Sequence, residues 1–398
     1  MHGFADRGET PAQRRASKGR TWWQLPARYV RCLPRRQISR SLQATYTSGT
    51  TSAPKGVSNT HLACYLAALG GVIDMALVPA DRMAAMMPMF HTAQLYALCM
   101  PAIAAGATIY PLRGFNAKHL LDLIAGHRIS VIFGLPMMYR ELLAEQTARP
   151  RDVSCLRLGV YAMAPIGAQE LARLRKVFGF GMALLFGQTE MNPITAILKP
   201  DLHDSHAGAM GTPSANVQIE VQDEQGRALP PGERGEIVYR GPQVFAGYLR
   251  DPAATAAACR DGWFRSGDAG YFDADGVLWF TDRFKDIIKS GGENVSSLEV
   301  ETAIYTAAPG IGEVAVVGLP HPHWIEAITA FIALAEGAQY DEAALMGTLR
   351  ESLSAFKRPK ALIVVEALPK TATGKVQKHV LRAQYAAHYS QEGASDDD

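Results

Sequence analysis

The chain has 398 residues and a formal net charge of +2, with 48% hydrophobic and 20% charged residues. That length allows two or three domains of about 150 residues each, and the balanced charge argues against a nucleic-acid binder. Five cysteines, Cys32, Cys64, Cys99, Cys155 and Cys259, are scattered, odd in number and never in a CxxC pair; this argues against a disulfide framework or a zinc site and fits a reducing cytoplasm. No apolar run reaches transmembrane length, because Pro101 and Gly106 break one candidate and Asp74 ends another.

Taken in order, the chain opens on an Arg-rich, acid-poor stretch, residues 1–41, whose hydrophobic bulk is Trp22 and Trp23. It lacks the apolar core of a secretion signal and is expected to be a disordered or non-native leader rather than a transit peptide. From Leu42 onward, short apolar runs at 83–88, 107–110, 130–133, 156–161 and 182–186 predict buried strands. Between them, apolar residues at helical spacing predict helices at 118–127, 137–146 and 168–178. This alternation implies a largely parallel sheet with helices on both faces. Ligands of such sheets sit beyond the carboxyl ends of the strands. Three polar strings fall there: Met89-Phe90-His91, residues 162–165, and Gly187-Gln188-Thr189-Glu190.

From about 208 to 282 the pattern shortens into a β-rich subdomain, with strands at 217–221, 236–239 and 277–280 and turns at Gln225-Gly226 and Asp275-Gly276. An α+β unit follows: helix 297–307, strands 314–317 and 328–333, helix 341–354, strand 361–365 and a last helix near 376–387, then an acidic tail from 389 to 398. The predicted organisation is a large α/β domain over 42–284 with a β-rich subdomain, then a small mobile α+β domain over 285–388.

Five strings carry candidate chemistry. Thr47-Ser48-Gly49-Thr50-Thr51-Ser52-Ala53-Pro54-Lys55-Gly56 combines hydroxyls, glycines and one lysine, the composition of a loop that holds phosphates or of a solvated turn. Glu190, directly after a buried strand, suits Mg²⁺ or a helix N-terminus, and Phe186 ahead of it suits a flat base. In Arg265-Ser266-Gly267-Asp268 an aspartate sits at a tight turn, where it can accept two vicinal ribose hydroxyls or close an Asx-turn. The string from Asp282 to Asn294 alternates charged and apolar residues, then runs into Gly291-Gly292; it reads as an unlaced hinge or a solvated linker. The last, from Leu368 to Lys375, is alone no more than a polar surface turn.

Their order along one chain resembles the adenylate-forming acyl-CoA synthetase superfamily, from about Gln43 to Arg382. Within it, His91-Thr92-Ala93-Gln94-Leu95, Gly187-Gln188-Thr189-Glu190-Met191 and Lys289-Ser290-Gly291-Gly292-Glu293-Asn294-Val295 are most similar to fatty-acid and aryl-acid CoA ligases.

The resemblance implies an enzyme that joins a small-molecule carboxylic acid to coenzyme A with ATP, through an acyl-adenylate and pyrophosphate. The acid is expected to be a fatty acid, with a cinnamate-type aryl acid as the alternative. Thr47, Ser48, Gly49, Thr50, Thr51 and Lys55 would hold phosphates, and Glu190 would hold Mg²⁺. Ala164, Phe186, Gly187 and Gln188 would flank the nucleotide, and Asp268 and Arg283 would hold its ribose. Lys375, Lys289, His91 and Thr189 would be catalytic, Gly291 and Gly292 would contact the cofactor, and Lys285 would be the hinge between half-reactions. Three departures from the family pattern stand out. Ser52 replaces a usual glycine, Met163 interrupts a usually glycine-rich run, and the long segment that relatives carry ahead of the phosphate loop is not recognisable. The large domain is therefore expected to be incomplete at its N-terminus, leaving apolar faces that could promote association, and a non-catalytic nucleotide-binding remnant is the rival reading. A peptide-synthetase adenylation module would want a carrier domain after Lys375, where only the acidic tail follows.

Overall fold

The computed structural model describes residues 39–47, 54–163, 166–308, 310–335, 337–371 and 375–390. The large domain is built on a seven-stranded sheet in the order β4-β3-β5-β6-β7-β8-β9. Its strands are β3 (Arg82–Ala85), β4 (Thr108–Pro111), β5 (Val131–Gly134), β6 (Leu158–Tyr161), β7 (Gly181–Gly187), β8 (Ile194–Leu198) and β9 (Thr212–Pro213). In sheet order the first five are parallel, β8 runs antiparallel to β7, and β9 runs antiparallel to β8.

Alternate side chains of each central strand feed two different cores. Ile132, Tyr161, Met182 and Leu184 pack under α3 (Ala117–His127), α4 (Pro136–Ala148) and α5 (Ala168–Phe178). Val131, Phe133, Val160, Ala183 and Leu185 face the opposite core, with Met75, Leu98 and, from α2 (Met100–Ala105), Ala102. Burial on both faces is why these strands read as continuous apolar runs. Helix α3 is capped at its start by the Asn116 side chain, which accepts from the His119 N–H, and closes on Arg128 in the left-handed region. Gly179 closes α5 in the same way, with its φ at +68°.

Ahead of the sheet, β1 (Ser41–Tyr46) and β2 (Gly56–Thr60) form an antiparallel hairpin that leads into α1 (His61–Asp74). The expected phosphate loop connects these two strands in sequence. A second sheet packs β10 (Gln218–Gln222), β11 (Gly235–Arg240), β13 (Cys259–Arg260), β14 (Trp263–Phe272) and β15 (Leu278–Arg283), as the turn-rich sequence anticipated. The short β12 (Gly247–Tyr248) leaves this sheet to join β2. That link brings residues 247–248 beside the phosphate hairpin.

The C-terminal unit has β16 (Ile288–Ser290), β17 (Glu293–Val295), α7 (Ser297–Ala307), β18 (Ile311–His321), β19 (Ile325–Leu334), α8 (Glu342–Ser352), β20 (Ala361–Val364) and α9 (Lys378–Gln384), following α6 (Pro252–Ala258) of the large domain. Its core is formed by residues such as Val300, Ile304, Val316, Ile328 and Leu349.

Two expectations need correction. Asp268 does not sit in a tight turn but inside the ten-residue strand β14, where Gly267 bends the backbone locally with its φ at +72°. The boundary after β15 is not unlaced either. Asp282 accepts from the Ser297 N–H at 2.6 Å and its hydroxyl at 2.7 Å, so the last strand of the large domain caps α7 of the next unit. Asp286 is paired with Arg382 at 3.0 Å. No helix among the described residues is long and apolar enough to cross a membrane.

Candidate active site

Three backbone features converge beside the carboxyl end of β7. The first is the end of that strand itself. A Cβ added at Gly187 would lie 1.7 Å from the Pro193 carbonyl oxygen, so only glycine lets the chain turn there. The turn sends Gln188 toward β14. Its amide donates to Asp268 Oδ2 at 2.5 Å and to the Ser266 carbonyl at 3.2 Å.

The second is the β14–β15 pair, whose register sets Asp268 directly opposite Arg283. Arg283 Nε lies 3.2 Å from Asp268 Oδ1. Asp268 is 2% exposed, yet Oδ1 receives no hydrogen bond. Burial pushes its carboxyl up, opposed by the Arg283 charge, the Gln188 amide and the Lys375 charge. A buried carboxylate oxygen without a donor is a costly arrangement that a hydroxyl ligand would relieve.

The third is the segment after β20. Lys375 as a whole residue is exposed, but its amine is pushed down to about 8. Burial is the main cause, followed by the positive charges of Arg283 and Lys285, while Asp268 and Asp286 act in the other direction. Lys285 is lowered as well, by burial and then by Arg283. Three cations thus crowd around one buried carboxylate, an arrangement suited to an incoming anion.

Glu190 lies two residues beyond Gln188, in a short 3₁₀ turn, Thr189–Met191. Its Oε1 accepts from the Tyr248 hydroxyl at 2.9 Å, and its carbonyl accepts from the Phe245 N–H at 2.8 Å. Among the described residues no group of three or more His, Cys, Asp or Glu converges. A lone carboxylate with one oxygen committed fits Mg²⁺, which binds through one or two carboxylates plus phosphate oxygens and waters. At the hairpin, the Thr47 N–H donates to the Lys55 carbonyl at 3.0 Å and the Lys55 N–H to Thr47 Oγ1 at 3.3 Å, closing the stem of the loop. Lys55 Nζ stands 4.6 Å over the Tyr248 ring. Ser48, Gly49, Thr50, Thr51 and Ala164 lie outside the described residues.

Other expected residues stand apart. Phe186 packs its ring on Phe280 at 5.6 Å, in the core beneath the β-rich sheet. His91 follows β3; its Nδ1 accepts from the Ala93 N–H at 3.2 Å, and burial pushes its pKa down, which leaves a neutral ring with the proton on Nε2. Lys289, Gly291 and Gly292 form the β16–β17 hairpin, which is tied to the 321–326 segment. The Lys289 N–H donates to Glu326 at 2.6 Å and the Gly291 N–H to the Trp324 carbonyl at 2.9 Å. Among the described residues no hydrogen bond or ion pair carries this hairpin to Asp268. Tyr248 and Glu236 were not anticipated; Glu236 accepts from the Gly267 N–H at 3.0 Å.

Residues 21–249 match the AMP-binding enzyme family and residues 299–375 the AMP-binding enzyme C-terminal domain. The first match begins ahead of Gln43, where the recognisable motifs begin. Feruloyl-CoA synthase from an Amycolatopsis species is 35% identical over 340 residues, 85% of this chain and 69% of that protein. ATP-bound MatB from Rhodopseudomonas palustris superposes with a TM-score of 0.80 at 34% identity, over 88% of this chain and 69% of that one. Apo MatB, over the same shares, gives 0.66 at 33% identity. The o-succinylbenzoate coenzyme A synthetase of Bacillus subtilis, in complex with ATP and a magnesium ion, gives 0.80 at 29% identity, over 87% of this chain and 70% of that one. The chain belongs to the AMP-binding enzymes, as an acid–thiol ligase of the adenylate-forming acyl-CoA synthetase superfamily.

Proposed function

We propose that this chain is an ATP-dependent carboxylic acid–CoA ligase whose large domain, residues 42–284, and C-terminal domain, residues 285–388, share one site. The observation that carries the proposal is the buried Asp268 carboxylate, with Oδ1 lacking a hydrogen bond, held between Gln188, Arg283 and the approach of Lys375. Asp268 accepts the two ribose hydroxyls of ATP, and Arg283 fixes the carboxylate in register. Thr47 and Lys55, with Ser48, Gly49, Thr50 and Thr51, hold the β- and γ-phosphates. Gly187 and Gln188 shape the nucleotide wall, with Phe186 behind it, and Ala164 also contacts the nucleotide. Glu190 holds Mg²⁺, which when bound neutralises phosphate charge.

In the first half-reaction an oxygen of the acid's carboxylate attacks the α-phosphorus, and the bond to pyrophosphate breaks. Lys375 stabilises the charge on the α-phosphate and the incoming carboxylate, the electrostatic role of a fixed donor aimed at a developing anion. His91 and Thr189 border the acid. In the second, the thiol of coenzyme A attacks the acyl carbon and AMP leaves. Between the two half-reactions, rotation at Lys285 exchanges Lys375 for the Lys289 hairpin with Gly291 and Gly292. The better superposition on ATP-bound than on apo MatB supports an adenylation-competent arrangement.

The acid we propose is an aryl acid, supported by the similarity to feruloyl-CoA synthase. Met163, at φ +74° and 56% exposed, stands in the run after β6 and supports an acid site of altered shape. Purified full-length protein, ATP and Mg²⁺ are incubated with cinnamate-type acids and, in parallel, with fatty acids of graded length. Pyrophosphate release followed by CoA consumption with the aryl set is the expected result. Release with fatty acids alone would reverse the choice of acid. ATP binding without release from any acid would leave a nucleotide-binding protein only.

A further inference from the structure

Lys55 and Glu190 carry opposite charges and approach the same side chain from two sides, yet among the described residues no ion pair joins them. Tyr248 stands between. Its hydroxyl donates to Glu190 Oε1 at 2.9 Å, and Lys55 Nζ sits 4.6 Å over its ring.

The backbone of Tyr248 is anchored independently of both partners. Tyr248 pairs in register with Val57, the Leu249 N–H donates to the Gly56 carbonyl at 2.7 Å, and the Tyr248 N–H donates to Thr255 Oγ1 at 2.9 Å. Phe245, whose ring edge packs on Tyr248 at 4.9 Å, also donates its N–H to the Glu190 carbonyl. The 245–249 segment therefore holds the stem of the phosphate hairpin and the Glu190 turn at a fixed separation, with one aromatic ring as the spacer.

We infer that Tyr248 is a positioning residue: its ring keeps Lys55 and Glu190 from collapsing into an ion pair, and its hydroxyl orients the Glu190 carboxylate toward a divalent cation. This rests on the reading of Glu190 as the metal-binding carboxylate. Two opposite charges in direct contact satisfy each other and lose their pull on phosphate and metal. A cation over an aromatic face keeps most of its charge available, since that interaction is weak at exposed sites. A partner that orients a metal-binding carboxylate typically contributes about 10- to 100-fold in metal affinity.

The test uses Mn²⁺ as the probe metal, with its binding to the full chain in the presence of ATP followed by electron paramagnetic resonance. ATP affinity without metal is measured by calorimetry. Tyr248→Phe, Glu190→Gln and the double variant are compared with the parent, each checked by thermal unfolding. Tyr248→Phe is expected to weaken Mn²⁺ about 10- to 100-fold while metal-free ATP affinity stays as in the parent, because the ring under Lys55 remains. In the Glu190→Gln background the same change is expected to do nothing further, which a merely structural defect would not reproduce. The inference is overturned if Glu190→Gln weakens Mn²⁺ and Tyr248→Phe does not, or if the two losses multiply in the double variant. If Glu190→Gln itself leaves Mn²⁺ unchanged, the metal reading of Glu190 fails and takes the role of Tyr248 with it.

Discussion

If Lys375 acts in adenylation as proposed, its amine, pushed down to about 8 by burial and by Arg283 and Lys285, should make that step pH-dependent in a way a solvated lysine would not. A group with that pKa is about nine-tenths charged at pH 7 and about one-tenth charged at pH 9. Because the dependence of kcat/KM on pH reports the free enzyme, kcat/KM for ATP in pyrophosphate release is expected to fall about tenfold per pH unit above 8. Lys375→Arg, which stays charged throughout, should remove that limb even if it lowers the plateau. The fall cannot be mistaken for unfolding. The folded pKa lies below the unfolded value of 10.5, so between about 8 and 10.5 the unfolded chain holds more protons, and this group makes the fold more stable as pH rises. A thermal midpoint that is constant or rising from pH 7.5 to 9.5 should therefore accompany the loss of rate. An active Lys375→Arg enzyme with the same alkaline limb, or a parent profile flat to pH 10, would refute the reasoning.

Gln188→Ala removes the amide that donates to Asp268 at 2.5 Å and is expected to raise the KM for ATP about 10- to 100-fold, from about 1.5–3 kcal/mol for a hydrogen bond to a charged group; an unchanged KM would show that Asp268 is held without it. Asp282→Ala takes two short hydrogen bonds from the start of α7 at a residue only 4% exposed, which should cost about 1–3 kcal/mol. Hydrogen exchange should localise the loss to residues 296–300, whereas uniform loosening of the C-terminal unit would contradict the capping role. Ile325, a β-branched residue at φ +68° and 66% exposed, allows a clean comparison of two truncations. Ile325→Gly should be more stable than Ile325→Ala by about 0.5–1 kcal/mol in urea unfolding. The left-handed region costs an alanine about 1–2 kcal/mol, and glycine gives back about 0.4–1 kcal/mol of that through its freer unfolded chain.

Elements with a periodic apolar face that enters a core were the easiest to read from sequence. The helices at 168–178 and 297–307 have the bounds their periodicity predicts, because one stripe of each, Leu171, Leu174 and Phe178 or Val300 and Ile304, enters a core. Asp268 was misplaced because Ser266-Gly267-Asp268 has the chemistry of a turn, and nothing local shows that β11 and β15 flank it and hold it extended. The β1–β2 hairpin was missed because Gly56–Thr60 is small and hydroxylated, without the apolar alternation of a strand. Tyr248 gave no signal at all. Its value lies in two contacts with residues 58 and more positions away, and a tyrosine between a glycine and a leucine is otherwise unremarked. Site motifs were legible as strings; the groups that hold those strings in place were not.

Arg283 is the last residue of β15, and its backbone is locked to Asp268 by the sheet. The first bonds able to turn without breaking that sheet lie immediately beyond it. In the proposed function, the ribose anchor formed by Asp268 and Arg283 lies on the fixed side of the hinge, while Lys285 and Lys375 lie at it and beyond it. The proposed swing of the C-terminal unit would leave the nucleotide's anchor untouched and remove two positive charges from beside it. The carboxylate that three cations had hemmed in would then face only one. Motion alone would thus change the local potential felt by the bound adenylate, with no change in its contacts to the large domain.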